Sequence, residues 1–249
     1  SLIRIYSRMV SCSFVAMTCA ATFLFSSLES CATGMCFILF YLSLLRSYQD
    51  KRAPGIAFYS FACLGIASLF FVQILYFVPF LWILMASNMM ALTHRMFWAT
   101  VLGLVMPYWF AVGYYVVTNQ FDAFIDHFTE LAQFEPLLKY EALDIHRIAT
   151  FGLVVLLAVI GIIHYMRNSY QDKIRTRMIF EMFITVDILS FVFIILQPQH
   201  FDNLLPIIIV NTSCLFAHYV ALTRTWLTNV TFIVMCLATL GLTIFNLMP

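Results

Sequence analysis

Apolar runs long enough to cross a membrane alternate along this chain with short polar breaks, and the spacing of those breaks predicts its elements. Spanning the hydrocarbon takes about 20 mainly apolar residues, down to roughly 17. On that criterion helices are expected over 9–28, 30–46, 55–73, 75–92, 96–118, 148–167, 179–196, 204–222 and 229–247, nine in all. The hardest boundary lies inside 55–92, too long for one helix and interrupted only by Gln73 and Pro79. Two helices joined by a tight turn near 73–77 are predicted there, with Pro79 in the first turn of the second, where its missing N–H is tolerated. Pro107 lies within the fifth run and predicts a kink, with neighbouring helices satisfying the freed carbonyl.

The polar breaks repeat. Ser47-Tyr48-Gln49-Asp50-Lys51 returns unchanged as Ser169-Tyr170-Gln171-Asp172-Lys173, an offset of 122 residues. Ala91-Leu92-Thr93-His94-Arg95 resembles Ala221-Leu222-Thr223-Arg224 at an offset of 130, and the connection 197–203 accommodates the eight extra residues. Helices two to five then correspond to six to nine in the same order and orientation. Repeats of this kind are related by an axis along the membrane normal. The competing explanation is chance similarity of apolar runs. The fold class expected is all-α: a polytopic membrane protein with one transmembrane domain over 1–249. It comprises an extra helix (9–28), two parallel four-helix repeats (30–118 and 148–249) and an outer amphipathic segment (119–147).

Composition agrees. Hydrophobic residues make up 63% of the 249, charged ones 10%, and mean hydropathy is +0.95, where soluble domains carry roughly 25% charged residues. A net charge of +1 excludes nucleic acid, whose phosphates require concentrated Lys and Arg. With a cytoplasmic N-terminus, the cytoplasmic connections hold Arg4, Arg8, Arg46, Lys51, Arg52, Arg95, Arg167, Lys173, Arg175, Arg177 and Arg224, leaving only Lys139 and Arg147 outside. The outer connections hold Glu29, Asp122, Asp126, Glu130, Glu135, Glu141, Asp144 and Asp202. The positive-inside rule is obeyed at every crossing and puts the C-terminus on the periplasmic side. Arg4, Arg8 and Leu28-Glu29-Ser30-Cys31 loosely suggest a cleaved leader, but Glu29 fits poorly and an uncleaved first helix is expected. The seven cysteines, with no C-x-x-C pair, read as apolar packing residues.

Among intramembrane polar residues Asp187 stands out, because an ionised carboxylate at mid-membrane costs at least about 2.5–3.5 kcal/mol. At the 122 offset it corresponds to Gly65, and Glu181 to Tyr59, so these acids belong to the second repeat alone. Asp187 reads either as a group that couples a proton or cation or grips a polar ligand, or as interhelical glue. Glu181, nearer the cytoplasmic face, reads as structural. Asn88 and His218 are equivalent at the 130 offset and with Asn211 and His164 read as interhelical hydrogen-bonding residues or as lining of a shared cavity.

In 119–147, Asp122, Asp126 and Glu130 form an acidic face and Phe121, Phe124, Phe128 and Leu131 an aromatic one. Pro136 ends that helix, and 137–145 can form a second. His127, Glu130, Glu141, Asp144 and His146 show no metal-ligand spacing, so a solvated acidic face able to dock a partner is favoured. No catalytic motif is found: P-loop, Gly-rich dinucleotide turn and G-x-S-x-G are all missing from the sequence. No cofactor is implied.

Gly103-Leu104-Val105-Met106-Pro107-Tyr108, in a helix after the basic turn at Arg95, resembles a pattern in an uncharacterised polytopic inner-membrane family of the Bacteroidota. The resemblance covers mainly helices three to five, implies a bacterial inner membrane and carries no activity. Two functions stay open. One is a non-catalytic inner-membrane subunit or scaffold of a cell-envelope complex, with the bilayer and membrane or periplasmic proteins as partners. The other is a small proton- or cation-coupled solute transporter using Asp187. The first is preferred, because transport paths usually need more intramembrane polarity.

Overall fold

The computed structural model describes residues 8–133, 143–223 and 226–247. The second short helix expected over 137–145, Pro136, Lys139, Glu141 and Arg224 fall wholly or largely outside them. Among the described residues there is no strand, and ten α-helices follow one another: α1 (Met9–Ala20), α2 (Leu28–Leu44), α3 (Pro54–Phe70), α4 (Val78–Ser87), α5 (His94–Val117), α6 (Phe121–Ala132), α7 (Ile145–Asn168), α8 (Ile174–Leu196), α9 (Phe201–Leu222) and α10 (Trp226–Leu247). Six helical segments, containing α2, α5, α7, α8, α9 and α10, are long and apolar enough to cross a membrane. The segments Met9–Ala20, Pro54–Phe70 and Val72–Ser87 are apolar but shorter.

Several expected boundaries move, each for a local reason. The first run breaks at Ala21 (φ −99°, ψ 58°) into a 3₁₀ turn over Thr22–Ser26. The long run 55–92 leaves α3 at an extended Phe71, makes a 3₁₀ turn over Val72–Phe77, and enters α4 with Pro79 in its first turn. α4 stops at Ser87, five residues before the expected end. There Met89 N–H reaches the Leu84 carbonyl (3.0 Å), Ala91 N–H reaches Met85 (3.1 Å), and Met90 turns left-handed at φ 49°. α8 starts at Ile174 rather than 179, because backbone hydrogen bonding continues through Arg175 and Arg177, whose long stems let the charge reach water.

The chain divides into two compact units, Ala32–Leu137 and Ser1–Cys31 with Leu138–Pro249. In the first, α3 and α5 run parallel in the most extensive helix contact of the chain. Two glycines permit it: a Cβ on Gly103 would stand 2.3 Å from the Phe58 carbonyl oxygen, and one on Gly65 would stand 2.6 Å from that of Leu104. Backbones approach this closely in membranes where small residues occupy the crossing. α5 carries Pro107 without interruption, buried against α3. Tyr108 Oη donates to Ser68 Oγ (2.7 Å), which donates to the Gly65 carbonyl (2.8 Å). Thr93 caps α5 by accepting from Met96 N–H (3.3 Å).

In the other unit α9 is the core. It is buried almost continuously from Leu204 to His218 and packs against α1, α7 and α8. α7 and α9 run parallel, joined at one end by Arg147, whose guanidinium donates twice to Asp202 (2.9 and 2.9 Å). α10 lies on α1 and α7. It is fixed by Asn246, whose Nδ2 donates to the Ala20 carbonyl (2.6 Å) and Thr150 Oγ1 (2.9 Å), and whose Oδ1 meets His146 Nδ1 (3.1 Å). α10 is largely exposed, whereas α9 is almost wholly buried, so α10 lies at the periphery of this unit. One end of the unit gathers Arg8, Arg167, Lys173, Arg175 and Arg177; the other gathers Glu29, Asp144 and Asp202 with Arg147.

In both pentapeptides the serine carbonyl accepts from the aspartate N–H (Ser47 from Asp50, 3.0 Å; Ser169 from Asp172, 3.1 Å). The turns differ: the first passes through Tyr48 (φ −55°, ψ 118°) and a left-handed Gln49 (φ 58°), whereas the second is a 3₁₀ turn over Ser169–Gln171. The helices around them pack differently. α3 pairs with α5, whereas α10, the sequence counterpart of α5, lies on α1 and α7.

Candidate functional site

Two clusters of buried polar residues lie against α9, at Thr212 and at His218, about 9 Å apart along the helix by the ~1.5 Å rise per residue. The deeper one is Asp187, 13 residues into the 23-residue α8 and fully buried. Thr212 Oγ1 on α9 donates to its Oδ2 (3.2 Å), while Oδ1 has no hydrogen-bond partner. Asn211, next to Thr212 and also fully buried, has neither amide atom hydrogen-bonded. Buried polar groups are nearly always paired, so this concentration of unsatisfied atoms is unusual.

The second place is the arginine-rich end. Gly161 sets it up: a Cβ there would stand 2.9 Å from the carbonyl carbon and Cβ of Leu215, so α7 lies backbone-to-backbone on α9. One turn onward this contact brings the His164 and His218 rings to 5.6 Å. His218 Nε2 meets Asp172 Oδ2 of the second pentapeptide at 2.9 Å, with both side chains 1% exposed. Phe180 presents its ring edge-on to His218 (4.7 Å) and stacks on Tyr165 (5.5 Å). Tyr165 Oη donates to the Arg177 carbonyl (3.0 Å), and Thr223 Oγ1 meets His164 Nε2 (3.0 Å). The arrangement seals an acid–imidazole pair behind aromatic rings.

The remaining sequence-predicted residues are spread out. Glu181 is half-buried on α8, and its carbonyl accepts from Thr185 (2.8 Å). Asn88 is the residue just past α4, taking a bond from Ser87 Oγ (2.7 Å), rather than a residue a turn or two inside a helix. On α6, Asp122, Asp126 and Glu130 are exposed. Its other side folds onto its own unit: Phe128 lies 5.2 Å from Tyr108 and from Phe124, Phe124 lies 5.9 Å from Tyr115, His127 Nε2 meets the Ser68 carbonyl (3.0 Å), and Tyr76 Oη donates to the Leu131 carbonyl. Phe124 and Phe128 therefore hold α6 in place as well as offering partial surface.

His127 and His146 each turn to a local partner, and among the described residues no three His, Cys, Asp or Glu side chains are grouped to hold a metal. The Asp172–His218 pair was missed in the sequence. The signal was the pentapeptide itself, followed 46 residues later by a histidine at the end of an apolar run. Compared with protein families, curated proteins and solved structures, the chain finds no match.

Proposed function

We propose that this chain is a non-catalytic integral subunit or scaffold of a bacterial cell-envelope complex, in which the helices anchor and α6 meets a partner. The observation that carries the reading is a contrast in polarity. Asp187, Asp172 and His218 are closed off in the interior, while α6 leaves Asp122, Asp126 and Glu130 exposed in a row on a helix held down by its aromatic side. A protein that moved a polar solute would need its buried polar groups reachable from water.

In this reading the three shorter apolar segments are also spans, accommodated by local thinning of the bilayer, and two four-helix repeats follow one extra helix. The identical sequence of the two pentapeptides, each closed by a Ser-to-Asp backbone hydrogen bond, supports the duplication. The basic and acidic ends of the α9 unit support an N-terminus in the cytoplasm and a C-terminus in the periplasm. The resemblance at 103–108 supports a bacterial inner membrane. The partner is a membrane or periplasmic protein presenting basic residues. Purification in mild detergent followed by native mass spectrometry should yield a complex, and neutralising Asp122, Asp126 and Glu130 to Asn, Asn and Gln should release the partner. Recovery of monomer alone overturns the proposal.

The unsatisfied Oδ1 of Asp187 and amide of Asn211 favour one second reading, a small transporter that couples a proton or cation at Asp187. Solute-driven flux in proteoliposomes should then lose its pH dependence in Asp187→Asn. An unchanged flux at every pH ends that reading.

A further inference from the structure

Neither reading uses the cavity of about 150 Å³ between α1, α7, α9 and α10. Five of its eleven lining residues carry sulfur: Met9, Cys12 and Met17 on α1, and Met235 and Cys236 on α10. With 7 cysteines and 13 methionines in 249 residues, a random lining of that size would hold about one. Methionine commonly fills irregular gaps, but gap-filling does not account for two exposed thiols on neighbouring helices.

Register places the thiols together. α1 and α10 run side by side in the same direction, since Asn246 bonds both the Ala20 carbonyl and, through its own carbonyl, Thr22 Oγ1 (3.3 Å). Cys236 stands ten residues before Asn246 and Cys12 eight before Ala20, so at ~1.5 Å per residue the two lie at nearly the same level. Their exposure differs from that of the thioethers: Cys12 and Cys236 are exposed, whereas Met17 is 2% and Met235 5% exposed. Two thiols nearer the surface and two buried thioethers make a soft-donor pocket.

We infer that this cavity binds one soft monovalent metal cation of the copper(I) class. Thiolate and thioether sulfur select Cu(I) over the harder divalent ions. One thiolate with neutral thioethers around a +1 ion leaves no net charge, as a low-dielectric site requires. Binding exchanges one cysteine S–H bond for an S–Cu bond and releases that proton to water, with no electron transferred. Under the orientation proposed above, the Met9 end of the cavity faces the reducing cytoplasm, where thiols persist.

The test is anaerobic titration of the detergent-purified chain with Cu(I), using bicinchoninate as the competing chromogenic chelator. One Cu(I) per chain should be retained, with a sulfur-only first shell in X-ray absorption. Cys12→Ser with Cys236→Ser should weaken retention by more than ~100-fold, beyond what loss of an outer-shell partner costs, while serine at the other five cysteines should leave it unchanged. In the wild-type chain, Cu(I) should also protect Cys12 and Cys236 from maleimide, but not the exposed Cys19, which keeps the test open if the double variant misfolds. Retention unaffected by the double substitution, equal alkylation of all three thiols, complete loss of copper to the chelator, or tighter binding of Zn²⁺ overturns the inference.

Discussion

Replacing Gly103 by alanine puts a methyl group where the α3–α5 crossing has no room. The new Cβ would stand 2.3 Å from the Phe58 carbonyl oxygen and 3.1 Å from the Ala62 nitrogen, both backbone atoms that no rotamer change can move. Ordinary van der Waals contact lies at 3.4 Å or beyond, so the helices must separate by roughly 1 Å, loosening the second close approach at Gly65 and the Tyr108–Ser68 bond behind it. Overpacking of this kind costs about 1–3 kcal/mol. Alanine returns about 1 kcal/mol through helix propensity, so a net loss of about 0–2 kcal/mol is expected, against a gain at a site with room. Gly152 on α7 supplies the control, because nothing lies within 4 Å of its Cβ position. Gly152→Ala should therefore gain a few tenths to about 1 kcal/mol. Both are measured as the shift in the SDS fraction that unfolds the chain in mixed micelles, followed by circular dichroism. If Gly103→Ala resists SDS as well as Gly152→Ala does, the backbone-to-backbone crossing is refuted.

Three further outcomes follow from hydrogen bonds and backbone geometry. His218→Ala and Asp172→Ala should each cost about 1–3 kcal/mol, because each removes a buried, charge-assisted hydrogen bond; a double-mutant cycle should show the two losses to be non-additive, and strict additivity would disprove the pairing. Asn246→Ala removes two donated bonds and should cost about 1–3 kcal/mol, with hydrogen exchange rising in α10 before α9; uniform exchange along both helices would contradict the fastening role. Met90→Gly should be neutral or stabilising by up to about 1 kcal/mol, since a left-handed φ burdens a non-glycine residue by about that much; a clear loss of SDS resistance would show that the Met90 side chain matters more than its backbone.

What could be read in advance depended on whether residue type or three-dimensional register decided the outcome. The break near Gln73 and the placement of Pro79 were legible because 55–92 exceeds any single span and proline tolerates only a first turn. The early end of α4 was not, since Met90 and Ala91 carry no stop signal and the turn depends on a left-handed methionine. Asp187, Asn211 and His218 stood out as polar residues in apolar surroundings, and all three are in the interior. Their partners were illegible: Thr212 and Asp172 are ordinary residues until α8 lies antiparallel to α9. Cysteines judged singly look like packing residues; only the alignment of α1 with α10 shows that two of them open onto one cavity.

The Asn246 fastening also has a consequence in time. The carbonyl of Ala20 waits for a donor 226 residues further along the chain. At synthesis rates of ~5–20 residues per second that interval is roughly 10–45 s. Throughout it α1 lacks α10 beside it and most of the α9 surface on which it packs, so the sulfur-lined flank of the newborn helix is uncovered. The unit built on α9 therefore closes late, from its last helix backwards, and stalling translation before Trp226 should leave α1 open to lipid-phase thiol reagents at Cys12.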